Sequence, residues 1–177
     1  MRIISGKHKG RVITPPKNLR ARPTTDFAKE NIFNVLANLV DFEKLDVLDL
    51  FAGTGSVSYE FASRGVKSVL SVEVNNVHYN FIRSMIKELN FDNMHIIKAN
   101  AFLYLKSCTK KFDLIFSDAP YDLAGSEQVI ELVLSKDLLT EDGFLVFEHS
   151  KDKSFKDHPN LYSSRAYGSV NFSIFKK

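Results

Sequence analysis

The sequence predicts an α/β fold: a mostly parallel, seven-stranded sheet closed by an antiparallel C-terminal hairpin and preceded by a basic N-terminal β-hairpin. Three observations carry that expectation. From Leu45 onward, short apolar runs alternate with amphipathic segments, the pattern of a parallel sheet covered by helices on both faces. After Glu148 the rhythm stops, and two extended, alternating runs meet at Gly168. Before Leu45 the chain is strongly basic and opens with two β-like runs around a glycine-bounded turn. At 177 residues and 44% hydrophobic it can close one sizeable core but is short for two ordinary domains. A single domain over residues 1–177 is expected, with an arm over 1–25 and a core over 26–177.

Taken in order, Arg2-Ile3-Ile4 and Arg11-Val12-Ile13 flank Gly6-Lys7-His8-Lys9-Gly10, which reads as a hairpin ended by Pro15-Pro16. A loop through Arg22-Pro23-Thr24-Thr25-Asp26 then meets a helical pattern, with Phe27, Ile32, Val35, Leu36 and Leu39 as its apolar stripe. Thr25 or Asp26 suits the N-cap, with Lys29 and Glu30 in the first turn. Strand-like runs follow at 46–50, 68–72, 94–97, 112–116 and 143–147, separated by helical segments. The clearest helix covers about 75–90, where Val77, Phe81, Met85 and Leu89 recur every four residues beside Ile82 and Ile86. Residues 163–167 and 169–175 form the closing hairpin. In such sheets ligands bind beyond the carboxyl ends of the strands.

Composition narrows the function classes. Charged residues make up 25%, with 15 Phe, 6 Tyr and no Trp, as in a soluble globular protein. No apolar run approaches the ~18 residues of a membrane span, and Met1–Gly10 lacks the apolar block of a secretion signal. A cytoplasmic protein without a membrane partner is expected. The lone Cys108 offers neither a disulfide nor a zinc pattern, and the five histidines lie far apart, so no metal is expected. Net charge is only +3, yet residues 1–30 hold eight basic side chains against two acidic ones. That asymmetry suits a polyanionic partner, or simply a solvated basic tail.

The first predicted strand runs out into Asp49-Leu50-Phe51-Ala52-Gly53-Thr54-Gly55-Ser56 and then a helix. Gly53 and Gly55 allow a sharp turn and close approach of a ligand. The third glycine of a dinucleotide loop is replaced by Ser58, and Asp49 at the strand end would repel a diphosphate but welcome a cationic amino-acid group. Glu73 ends the second strand 24 residues later, where a carboxylate can accept from both ribose hydroxyls. Asn100-Ala101 ends the third, where an amide can read an adenine edge. Singly, Glu73 also suits a solvated acid and Asn100 a helix cap. Jointly, at consecutive strand ends, Asp49, Phe51, Gly53, Thr54, Gly55, Glu73, Asn100 and Ala101 point to an adenosyl cofactor, S-adenosylmethionine.

The fourth strand ends in Ser117-Asp118-Ala119-Pro120-Tyr121, which resembles the Asp/Asn-Pro-Pro-Tyr/Phe motif of amino-nitrogen methyltransferases, with Ala119 at the first proline. The plainer alternative is a turn in which Pro120 stops the strand and Tyr121 packs on the surface. An exocyclic amine shares its lone pair with the ring and is a poor nucleophile. Two acceptors, the Asp118 carboxylate and the Ala119 carbonyl, would each take one N–H, freeing that lone pair and stabilising the charge that forms on nitrogen. Tyr121 would stack on the base. Because the second acceptor is main-chain, Ala in place of Pro need not remove it, though the turn is looser.

Arg2-Ile3-Ile4-Ser5-Gly6, Lys9-Gly10-Arg11, Arg22-Pro23-Thr24-Thr25-Asp26, Lys29-Glu30 and Phe33-Asn34, with the Asp49–Ser56 run and Tyr167-Gly168, closely resemble the ribosomal RNA small-subunit methyltransferase D family over essentially the whole chain. The resemblance implies a Rossmann-like class I S-adenosylmethionine-dependent methyltransferase fold. It further implies methylation of guanine N2 in 16S ribosomal RNA, within an assembling small subunit, with Arg2, Lys7, Lys9, Arg11, Arg20 and Arg22 as RNA-binding candidates. A DNA adenine-N6 methyltransferase would use the same motif but normally carries a target-recognition domain. A protein-glutamine methyltransferase would not need the basic arm. A catalytically silent RNA-binding module on the same scaffold is the remaining alternative.

Overall fold

A computed structural model describes residues 1–16, 19 and 25–177. Its central sheet follows the predicted rhythm: β1 (Asp46–Leu50), β2 (Ser68–Glu73), β3 (Met94–Lys98), β4 (Phe112–Ser117), β5 (Leu139–His149), β6 (Leu161–Tyr167) and β7 (Val170–Lys176). Five α-helices are described, α1 (Asp26–Ala37), α2 (Ser56–Ser63), α3 (Asn76–Glu88), α4 (Ala101–Ser107) and α5 (Gln128–Ser135), with one 3-10 turn at Phe42–Lys44. The strands lie in the order β3-β2-β1-β4-β5-β7-β6. β1 to β5 pair in parallel, and β7 runs antiparallel to both β5 and β6.

Alternation along each central strand sends neighbouring side chains to opposite faces. Val47, Val69, Leu114, Phe116 and Val146 join the core beneath α1, α2 and α3. Leu48, Val72, Ile115, Leu145 and Phe147 join a second core with α4 and α5. Burial on both sides explains why these strands read as near-continuous apolar runs. The turn between β6 and β7 is made by Gly168 at φ 65°, and the two strands pair from Leu161↔Phe175 to Tyr167↔Val170.

Two expectations need correction. Phe27 is exposed, because α1 buries Ala28, Lys29, Ile32, Phe33 and Leu36 instead, a stripe rotated by one residue. Val77 is likewise exposed, and α3 turns Ile82 and Met85 fully inward. At the N-terminus the two β-like runs do pair antiparallel as expected, in a short hairpin whose ladder is the single bridge Arg2↔Val12. Its backbone closes through Ile3 N–H to Arg11 O (3.0 Å), Gly10 N–H to Ile3 O (2.8 Å) and Ile13 N–H to Met1 O (2.9 Å). No helix among the described residues is long and apolar enough to cross a membrane.

Candidate active site

Parallel strands flanked by helices leave a crevice at their carboxyl ends, and here it widens into a cavity of about 640 Å³. Asp49, Phe51, Gly53, Thr54, Glu73, Asn100 and Ala101 line one wall, and Asp118, Ala119, Pro120 and Tyr121 the other. Of the predicted cofactor-binding residues, only Gly55 stays outside the lining. It takes φ 85° as the residue before α2, and a Cβ there would fall 2.6 Å from the Tyr59 ring. A glycine is required for both reasons. Phe51 also holds a left-handed backbone, at φ 60°, a strained conformation for a non-glycine residue. Its ring packs against Phe102 at 5.8 Å.

The polar groups of this wall are fixed by the protein itself. Asp49 is buried and accepts from the Ser58 hydroxyl, which also shares a 2.6 Å hydrogen bond with Ser71. Burial pushes the Asp49 carboxyl up to about 7; the Ser58 hydrogen bond opposes the shift, and the charges of Asp118 and Glu73 add to it. Ser58, which stands at the missing third glycine, thus has a structural task that its position in the motif did not disclose. Glu73 accepts from the backbone N–H of Gly53 (2.8 Å) and of Asn75 (2.6 Å), tying the loop to the end of β2. Asn100 is the helix cap that its second reading expected, its Oδ1 accepting from Phe102 N–H (3.0 Å) and Leu103 N–H (3.1 Å) at the start of α4, and it also lines the cavity.

On the opposite wall the Tyr121 hydroxyl donates to Glu148 Oε1 at 2.9 Å. Glu148 ends the apolar part of β5, is buried, and lines the cavity. Sequence reasoning missed it, although the argument used for Asp49 and Glu73, a carboxylate closing an apolar strand, applies to it equally. Among the described residues no group of three or more His, Cys, Asp or Glu side chains could hold a metal ion.

The basic N-terminal arm is docked on α2. Buried Glu60 accepts from Ile4 N–H (2.7 Å), Ser5 N–H (3.1 Å) and the Arg64 guanidinium (2.8 Å). Ser63 accepts from Lys7 N–H through its carbonyl (2.7 Å) and from His8 N–H through its hydroxyl (3.0 Å). Gly6 must be glycine, since a Cβ would fall 1.8 Å from the Ser63 carbonyl oxygen. Lys29, only 1% exposed, donates to Arg2 O (2.6 Å) and Ser56 Oγ (3.1 Å), and burial lowers its pKa. Reading Lys29 as an ordinary first-turn residue missed this tie between arm and loop.

Of the RNA-binding candidates, Arg2, Lys7, Lys9 and Arg11 are exposed, and Arg11 pairs with Glu88 at 2.8 Å. Arg20 and Arg22 lie outside the described residues. Arg2 sits at the cavity end of α2, near Ser56, whereas Lys7 is held at Ser63, roughly 10 Å further along the helix.

The sheet order, the antiparallel β7 and the cavity at the strand ends define a Rossmann-like class I methyltransferase. The solved structure of Escherichia coli yhhF superimposes with a TM-score of 0.87 at 25% identity, covering 100% of this chain and 97% of that one. The chain belongs to the family described as Conserved hypothetical protein 95, whose profile matches residues 1–176, and within it to the ribosomal RNA small-subunit methyltransferase D relatives. The protein of that name from Buchnera aphidicola subsp. Baizongia pistaciae is 31% identical over 148 residues, covering 84% of this chain and 75% of its own length. YlbH of Bacillus subtilis is 31% identical over 184 residues, covering 100% of this chain and 99% of its own.

Proposed function

We propose that this methyltransferase uses S-adenosylmethionine to methylate ribosomal RNA, and that its acceptor is the exocyclic N2 of a guanine in 16S RNA within an assembling small subunit. The observation that carries the reading is the convergence of Asp49, Glu73 and Asp118 from three strand ends on one cavity. The residues fit the cofactor's chemistry. A buried carboxyl raised to about 7 gains most from a cationic neighbour, and Glu73, pinned by two N–H groups, presents a fixed carboxylate to a ribose diol. Bound there, the cofactor supplies a methyl group on a positively charged sulfonium.

The remaining chemistry belongs to the chain. Asp118 and the Ala119 carbonyl accept the two amine N–H groups, holding the nitrogen lone pair toward the methyl and offsetting the charge that develops in a direct displacement. Tyr121, steadied by Glu148, offers its ring to the base. Exposed Arg2, Lys7 and Lys9 contribute phosphate contacts, and ribosomal work of this kind would take place in the cytoplasm. The name of the Buchnera relative supports a ribosomal substrate.

The test is methyl transfer from labelled S-adenosylmethionine to undermethylated small-subunit particles, followed by nucleoside analysis. N2-methylguanosine in 16S RNA is the expected product. Label in adenosine or in protein, or none at all, would overturn the assignment.

A further inference from the structure

An aromatic pair at the cavity rim joins a half-buried ring, Tyr167, to one that the core leaves out, Phe27, and the proposed reaction uses neither. Phe27 is 64% exposed and is the one exposed phenylalanine among the described residues. It meets Tyr167 at 6.3 Å with the rings nearly perpendicular, at 88°. Tyr167 is anchored in turn on fully buried Phe172, at 6.2 Å. Both rings are tied to the rim through their own elements. Thr25, which caps α1 by accepting from Ala28 N–H, lines the cavity, as does Val170, the register partner of Tyr167.

Charge frames the pair on two sides. Exposed Arg2 lies beside it, its backbone N–H reaching Asp26 Oδ1 at 3.4 Å, next to Phe27. Exposed Arg165 is two residues before Tyr167 on β6 and so shares its face of the sheet. Aromatic rings with two exposed arginines on neighbouring backbone suit one occupant, a nucleobase with its flanking phosphates. A folded protein partner would need a wider apolar surface than two rings.

We propose that Phe27 and Tyr167 form a stacking platform for a base adjacent to the methylated nucleotide, so that the RNA is gripped on the rim while its target enters the cavity. This rests on the RNA reading above. Stacking depends on the π-face rather than on apolar area, which separates Leu from Trp at position 27.

The test measures methyl transfer to undermethylated small-subunit particles by wild type, Phe27→Leu and Phe27→Trp, with calorimetry of S-adenosylmethionine binding and thermal melting alongside. Phe27→Leu should raise KM for the particle about tenfold, with kcat, cofactor affinity and Tm nearly unchanged. Phe27→Trp should match or improve on the wild-type KM. Equal KM for Leu and wild type, or equal loss in Leu and Trp, would overturn the platform while leaving the methyltransferase reading intact. A wild-type dimer in sedimentation that Phe27→Leu dissolves would mean the rings cover a second copy instead. No transfer by the wild type would remove the RNA reading, and the platform with it.

Discussion

On the β1–β3 side of the cavity, Asp49, Glu73 and Asn100 each accept hydrogen bonds from the protein's own hydroxyl or backbone donors. On the β4–β5 side, Asp118, Ala119 and Pro120 follow the strand on an irregular segment that Glu148 steadies through Tyr121. On the proposed reading, the first wall is preorganised for the cofactor and the second receives the bulky acceptor, and the residues near the second wall's rim, Arg2 and Phe27, are exposed. The division separates affinity from rate: changes to the first wall should move cofactor binding, and changes to the second should move the chemical step.

The strongest way to break that division is Asp118→Ala. Loss of one preorganised electrostatic partner should lower kcat by about 10²-fold or more with little change in cofactor affinity. Asp118→Asn, which keeps an acceptor oxygen, should retain more activity. Single-turnover rates together with calorimetry read both quantities, and a variant that loses affinity but not rate would erase the distinction between the walls.

Glu73→Ala should do the reverse, weakening S-adenosylmethionine binding by about 1–3 kcal/mol through lost charged hydrogen bonds. Part of that loss comes from freeing the Gly53 and Asn75 N–H groups, so Glu73→Gln should fall between Ala and wild type. Unchanged affinity in folded Glu73→Ala would take the residue out of the site.

Asp49 sharpens the comparison with a smaller, pH-dependent effect. Burial raises its pKa to about 7 from the ordinary 3.8, so the folded state holds this proton more tightly than the unfolded chain does. Its contribution to stability is therefore fully present at low pH and disappears as pH rises through about 7. A cation beside the carboxylate reverses the preference, so cofactor affinity should climb between pH 6 and pH 8, by at most about tenfold per unit, and then level off. Calorimetry across that range checks it. Asp49→Asn should bind weakly at every pH with no such slope.

Much of the fold was legible because period and punctuation agree: β1 begins and ends where the apolar run 46–50 does, and the polar residues that stop four of the strands became cavity lining. What the sequence concealed was tertiary. Phe27 and Val77 fit a helical stripe by spacing, but the angle at which a helix meets the sheet decides which neighbour is buried, and it favoured Ala28 and Ile82. Counting charges in residues 1–30 found a basic arm yet could not show that its backbone N–H groups seek Glu60 and Ser63, more than 50 positions away. Asn100 could not be decided from spacing because one side chain serves as cap and as lining at once.

Glu60 carries a consequence for where this protein can be divided. Its carboxylate is wholly enclosed, and two of its three hydrogen-bond donors are main-chain groups of Ile4 and Ser5. Cutting the chain before α1 would take away that charge's two main-chain donors, leaving it only Arg64 and the field of Lys29, and open the pocket that buried Ile3 and Ile13 now fill. The boundary drawn by composition at residue 25 is therefore not a seam. The segment that looks most like a detachable RNA-binding appendage is a structural brace, and transplanting it to another methyltransferase would require carrying α2 along with it.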